Sequence, residues 1–297
     1  MKKIALATLL VATAAIASAQ VTVSGKIGEY IDKTKTGTTT VNSLTAEPTS
    51  SIKFSVKESL ANGLSARVVL DTKILANDPT KSGTSTQLGD RQATVGLVNS
   101  FGSIDLGRSN HSVFGTIAAN DAFGAMYGTI AKDIHDTRDT RFSNGAFVTL
   151  TPFANGKVTY DRAQGNVGGD ATSYSFTGTL GTVTASVARY ELGSEISNVA
   201  AAGTSFGSTK VSVTHSDNSG VSNFKGNSIS VSRPFTGSQF TAKGSYGQRT
   251  GDISAYNMGI DYAFSKNTVA SLVYRNVNAP GVTSDVTQMG VGVLMKF

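Results

Sequence analysis

The chain has 297 residues, 32 of them glycine, with no cysteine, no tryptophan and only 15% charged residues, against roughly 25% in ordinary soluble domains. Without cysteine there is no disulfide scaffold, thiolate zinc site or cysteine nucleophile, and three histidines leave little for imidazole metal chemistry, so no cofactor is expected. A mean hydropathy of -0.05 is too polar for a helical membrane protein. The formal charge of +6 comes from basic residues scattered singly, which speaks against a nucleic-acid partner.

At the start, Met1, Lys2 and Lys3 precede an apolar stretch from Ile4 to Ile16, and Ala17-Ser18-Ala19 has the small-residue pattern of a signal-peptidase site. Residues 1–19 therefore read as a signal peptide cleaved between Ala19 and Gln20, and 20–297 as the mature domain. Its loss removes two lysines and leaves a net charge of +4.

From Gln20 onward, segment after segment alternates apolar and small polar residues with the period of two that marks a strand with two unlike faces. Ile52, Phe54 and Val56 alternate with Lys53, Ser55 and Lys57, and Met289, Val291, Val293, Met295 and Phe297 share the last such face. Tight turns fall at 61–63, 100–102, 151–156, 181–182, 205–207, 234–237 and 265–267. Longer polar breaks fall near 34–48, 76–88, 110–137, 165–170, 192–194, 217–224, 248–253 and 277–284. Short breaks alternating with long ones, fifteen in all, give an up-and-down antiparallel sheet of 16 strands, the even number a closed outer-membrane barrel needs. Glu195 to Thr204 is alanine-rich and barely alternates, which leaves 14 strands as the alternative. The polar face carries Ser, Thr, Gly, Asn and isolated charges, while the other carries valine and aromatics, with Tyr160, Tyr246 and Tyr274 suited to an interfacial girdle. The expectation is an all-β transmembrane barrel, apolar toward outer-membrane lipid and polar toward a water-filled lumen.

Several segments resemble the general porins of Gram-negative outer membranes, of the type common in betaproteobacteria: Gln20-Val-Thr-Val-Ser-Gly, Ser51 to Arg67, Asp90 to Arg108, Arg141 to Gly156, Ala255 to Arg275 and the ending Met289 to Phe297. The resemblance implies a homotrimer of sixteen-stranded barrels, with the third loop, here 110–137, folded inward to constrict each pore. Asn120-Asp121-Ala122-Phe123-Gly124 resembles that family's loop-tip motif. The terminal Phe297 is then the signal read by the barrel assembly machinery.

A pore selects by its width and by the charges at its narrowest ring. Strand parity turns Lys53, Lys57, Arg67, Lys73, Lys157, Lys210 and Lys243 inward, against Asp71, Asp105, Asp161 and Asp261. The resemblance places constriction arginines at Arg91 and Arg141, facing acidic or carbonyl groups of the third loop; parity adds Arg67 and Lys53 to the wall, and in the loop Asp121, Asp133 and Asp136 outnumber Lys132 and would set negative charge at the narrowest point. The family often has a further arginine where this chain has Ser51. Parity puts Arg91 on the face of Ala93, Val95 and Leu97, toward lipid, unless a bulge turns it inward or it sits high on the strand. The run Asp133, Asp136 and Asp139, beside His135, has a spacing that would allow calcium, although a loop surface is the simpler reading.

Gly203-Thr-Ser205-Phe-Gly207 matches a nucleophile elbow but lacks the following helix. Ser205 and its nearest following histidine, His215, ten residues on, are expected about 33 Å apart at about 3.3 Å per residue, so no enzyme is expected. The sequence thus points to a passive diffusion channel for small hydrophilic solutes and ions, with a weak to moderate anion preference. A substrate-specific channel is the alternative, and an adhesin or structural barrel a more distant one, since most outward loops are short.

Overall fold

Wherever apolar and small polar residues alternate, the backbone forms a strand, and the strands join edge to edge until the first meets the last. The computed structural model describes residues 19–77, 87–135, 140–166, 169–220, 223–279 and 285–297. Its strands are β1 (Gln20–Thr36), β2 (Thr39–Ala46), β3 (Ser51–Ser59), β4 (Ser65–Lys73), β5 (Gln92–Asn99), β6 (Gly102–Asn110), β7 (Arg141–Phe153), β8 (Gly156–Asn166) and β9 (Gly169–Leu180). There follow β10 (Val183–Leu192), β11 (Glu195–Phe206), β12 (Thr209–Ser219), β13 (Phe224–Pro234), β14 (Phe240–Arg249), β15 (Ile253–Ala263), β16 (Thr268–Asn278) and β17 (Val286–Lys296).

β2 and β3 lie end to end along β1, whose residues Glu29–Thr36 pair with the first and Gln20–Lys26 with the second. They are two halves of one stave, interrupted at Glu47-Pro48-Thr49-Ser50, where Pro48 has no N–H to give to a ladder. Each later strand pairs antiparallel with its neighbour, and β1 closes the ring on β17 from Lys26 opposite Lys296 to Thr36 opposite Val286. The barrel has 16 strands, so the fourteen-strand alternative is wrong.

The doubtful segment, β11, pairs along its length with both β10 and β12. Its alternation is faint for a physical reason: Val199 and Ala201 are buried on the inner face, so this strand is apolar on both sides. Elsewhere the outward face holds the large exposed apolar side chains, among them Val23, Ile31, Leu97, Phe176, Met258 and Val291. No helix among the described residues is long and apolar enough to cross a membrane, and the strands do the crossing.

The inward apolar surface has one purpose, which is to seat the segment between β6 and β7. Its described part carries α1 (Ser112–Ala119), capped by the His111 ring accepting from Phe114 N at 3.3 Å, and the single turn α2 (Ala131–Ile134). Val113 and Ile117 of α1 pack on Phe142, Ala163, Ala171, Ala188 and Val199. Ile130 and Ile134 pack on Ile253, Ala255 and Val277, and Phe123 and Tyr127 on Tyr30 and Val273. The Tyr30 and Tyr127 rings stack at 3.8 Å. Wall glycines make the room: a Cβ at Gly226 would collide with the Ile134 carbonyl, and one at Gly290 with the Tyr127 ring and hydroxyl.

Candidate functional site

The inward loop covers the wall from β8 round to β17 and reaches β1 at Tyr30. It is bonded to that wall along its course. Ser212 donates to the Asn120 carbonyl at 2.6 Å, Asn257 to the Gly128 carbonyl at 2.8 Å, and Arg275 holds Asp133 at 2.6 Å. His135 is buried with Nδ1 and Nε2 each 2.8 Å from a serine hydroxyl, Ser216 and Ser228. Burial pushes its imidazole down to about 4, with repulsion from His215 a smaller cause. The wall left bare is β2 to β6, and with Arg141 at the start of β7 it is the basic side of the barrel.

On the loop side of the lumen a cavity of about 820 Å³ is lined by Lys73, Arg91, Arg108, Lys132, Arg141 and Arg275, with Asp90 the one carboxylate among its lining residues. Asp90 is already engaged, accepting from the backbone N–H of Lys73 at 2.8 Å. The Arg141 Nε donates to the Arg91 carbonyl at 2.9 Å and the Arg108 Nε to the Asp90 carbonyl at 2.7 Å. Arg108 also bonds the Ser143 hydroxyl and Arg141 that of Thr140. These guanidiniums are thus oriented by neutral oxygens, which fix their direction without cancelling their charge. Arg91 differs, because Asp71 lies 3.7 Å away while its Nη1 donates to the Pro48 carbonyl.

Two of these arginines escape simple parity. Arg91 precedes β5, so the alternation that would face it to lipid starts one residue later, at Gln92. Both side chains reach the lumen, Arg91 into the loop-side cavity and Gln92 into the turn-side one. Arg108 sits in a register shift between Gly107 and Ser109, with Gly107 at φ +129, and the bulge turns inward a side chain that strict alternation would send out. Arg108 was not among the expected site residues. Nor was Arg275, although the outward place of Tyr274 in the girdle turns it inward, onto a face with Val273 and Val277 that the loop packs against.

The turn-side cavity, about 640 Å³, is lined by Arg67, Lys157 and Lys210 with Asp105 and Asp161. Arg67 reaches across β5 to Asp105, Nε to Oδ1 at 2.7 Å and Nη2 to Oδ2, and also bonds Ser103. The residue between them in the row is Gly96, where any Cβ would collide with the Asp105 side chain. Asp161 accepts from Ser112 N at 2.8 Å, placing a carboxylate at the start of α1, where the helix dipole favours it.

The remaining expected residues fall as follows. Lys53 stands opposite Asp71, and Lys57 opposite Arg67. Lys243 pairs with Asp261 at 2.9 Å and lies over the Phe123 ring at 4.5 Å. The described loop acids do not present free charge at the constriction. Asp121 is turned into its own loop, accepting from Ala125 N at 2.9 Å, Thr129 Oγ1 at 2.6 Å and Phe123 N at 3.3 Å. Asp133 is spent on Arg275, and Asp136 and Asp139 lie outside the described residues. Among the described residues the expected balance of loop acids against wall arginines is therefore tilted toward the arginines.

Ser205 and His215 need a correction of distance. Ser205 stands opposite Lys210 in a hairpin, so only five residues, about 17 Å at 3.3 Å per residue, separate it from His215 along β12. Ser205 lines the lumen, while His215 is exposed and bonds Asn227 at 2.8 Å. Phe297 is bonded on both its backbone groups to Gly25, and Gln20 opens β1 opposite Lys57.

A model of the Gram-negative porin family matches residues 5–294. Among solved structures the chain is similar to the anion-selective porin from Comamonas acidovorans, with a TM-score of 0.73, 20% identity, and 94% of this chain and 100% of that one covered. It is also similar to Salmonella typhi OmpF in complex with daunomycin, with a TM-score of 0.77, 15% identity and coverage of 93% and 97%. The in-vitro folded trimer form of OmpT from Vibrio cholerae gives 0.68, 12% identity and coverage of 94% and 100%. At these identities the likeness is one of fold. No curated protein matches the chain in sequence.

Proposed function

The chain belongs to the Gram-negative porin family, passive diffusion channels of the outer membrane, and from that premise we propose that its pore prefers anions. The observation that carries this reading is the pair Arg108 and Arg141, held by backbone carbonyls and hydroxyls and without a carboxylate partner among the described residues. At about 8 Å Debye length in physiological salt, only charges lining a narrow passage keep their influence on a permeating ion. These two line the loop-side cavity beside Arg91 and Lys73. The anion selectivity of the Comamonas acidovorans porin, as named, supports the same sign.

The assembly that best fits the family is a homotrimer, supported by the trimer form of the Vibrio cholerae OmpT structure. Residues 1–19 are the export signal and Phe297 the residue read by the assembly machinery. Deleting Phe297 is expected to lower the amount of heat-resistant barrel in outer-membrane fractions, and unchanged assembly would remove that role. The channel reading is tested by swelling of proteoliposomes in a series of uncharged, anionic and cationic solutes of graded size. Entry graded by size, with anions ahead of cations of equal size, is expected. Entry of one solute alone would favour a substrate-specific channel.

A further inference from the structure

We infer that the loop-side cavity recognises small amphipathic organic anions, a carboxylate joined to a compact apolar body, in preference to equally charged anions without one. This rests on the anion reading above and names the class of anion. Two features meet in that cavity. One is the guanidinium pair: Arg141 spends Nε and Nη1, and Arg108 spends Nε and Nη1, on protein oxygens, so each keeps an Nη2 that bonds no described residue. Guanidinium N–H groups in a fixed orientation are suited to carboxylate oxygens.

The other feature is the surface that the loop turns toward the same space. It carries an apolar patch beside Thr129 and Lys132: Phe114, Ala125 and Met126 line the cavity, and none of these three belongs to the clusters that dock the loop on the wall. The loop's described acids point elsewhere, Asp121 into its own backbone and Asp133 to Arg275. Wall and loop come within contact, since Lys26 Nζ lies 3.8 Å from Met126 Sδ. A hydrated inorganic anion gains nothing from a phenyl and a thioether, whereas an aryl or alkyl carboxylate would shed water from its apolar part there while its head stays on the arginines. The cavity, about 820 Å³, admits such a molecule with room for water.

The test uses the full-length channel in planar bilayers bathed in potassium chloride, with potassium benzoate or potassium acetate added as probe. Benzoate is expected to reduce the chloride conductance by half at a concentration about ten times lower than acetate, the low end of the scale on which a small apolar group is discriminated by an apolar contact. In Phe114→Ser, and independently in Met126→Gln, which keeps length and volume, the two probes should converge while the reversal potential in potassium chloride alone stays as in the parent. Equal potency of benzoate and acetate on an anion-selective parent would overturn this inference and leave the anion reading standing. So would a difference that survives both substitutions. A cation-selective parent would overturn the anion reading itself.

Discussion

The Nε of Arg141 donates to the backbone carbonyl of Arg91 at 2.9 Å, so one arginine of the pore wall is aimed by the main chain of another. A carbonyl supplies direction, and it leaves the positive charge intact for a passing ion. Arg91 itself has the carboxylate of Asp71 at 3.7 Å. Replacing Arg141 by alanine is therefore expected to move the reversal potential under a potassium chloride gradient further toward zero than Arg91→Ala does. Equal shifts, or no shift in Arg141→Ala, would count against the assignment.

Arg275 and Asp133 form an ion pair at 2.6 Å between β16 and the inward loop. Removing the arginine alone leaves Asp133 uncompensated in the lumen, so Arg275→Gln changes the local charge and also frees a loop that the pair anchors. The expected loss of anion selectivity in Arg275→Gln exceeds that in the double variant Arg275→Gln with Asp133→Asn. Identical reversal potentials for the two would show that Asp133 has no influence on the permeating ion.

Gly96 lies between Arg67 and Asp105 in one row of the wall, and the ion pair crosses above it. A valine there would push against the Asp105 side chain and the Ile104 carbonyl. Overpacking of this kind costs about 1–3 kcal/mol. Gly96→Val should lower the temperature at which the folded, detergent-resistant barrel is lost, whereas valine at the open turn glycine Gly63 should be felt through its positive φ alone and not through a steric contact. Retention of the parent transition by Gly96→Val would contradict the packing described.

His135 holds the loop between two serines of β12 and β13, and burial depresses its pKa to about 4 from 6.5. Between these values the undocked imidazole binds a proton that the docked one does not. The docked state is therefore fully favoured above about pH 6.5 and loses that advantage progressively as the pH falls toward 4. Current fluctuations in single channels should increase over this range, and His135→Gln should flatten the dependence. A pH profile unchanged by the substitution would place the acid response in other groups.

The barrel was legible because a membrane wall is written residue by residue: parity alone separated Val291 from Gly292 and Lys53 from Phe54, and turn chemistry set the strand number. Parity misleads where something inside the barrel competes with water. β11 read as a poor strand because the inward loop needs an apolar seat and borrows the lumen face to make it. Arg91 and Arg108 were obscured for a different reason, the first by lying just outside its strand and the second by a bulge at Gly107. The engagement of Asp121 with its own loop is a matter of local hydrogen bonding that composition does not carry; charge counting alone set it against the arginines.

The account stands most directly on the sign of the wild-type zero-current potential across a potassium chloride gradient, measured near 0.1 M and again near 1 M. Anion selectivity at the lower salt is predicted, shrinking as the Debye length falls from about 10 Å to about 3 Å and the arginines of the wall are screened. A cation-selective potential at low salt would contradict it.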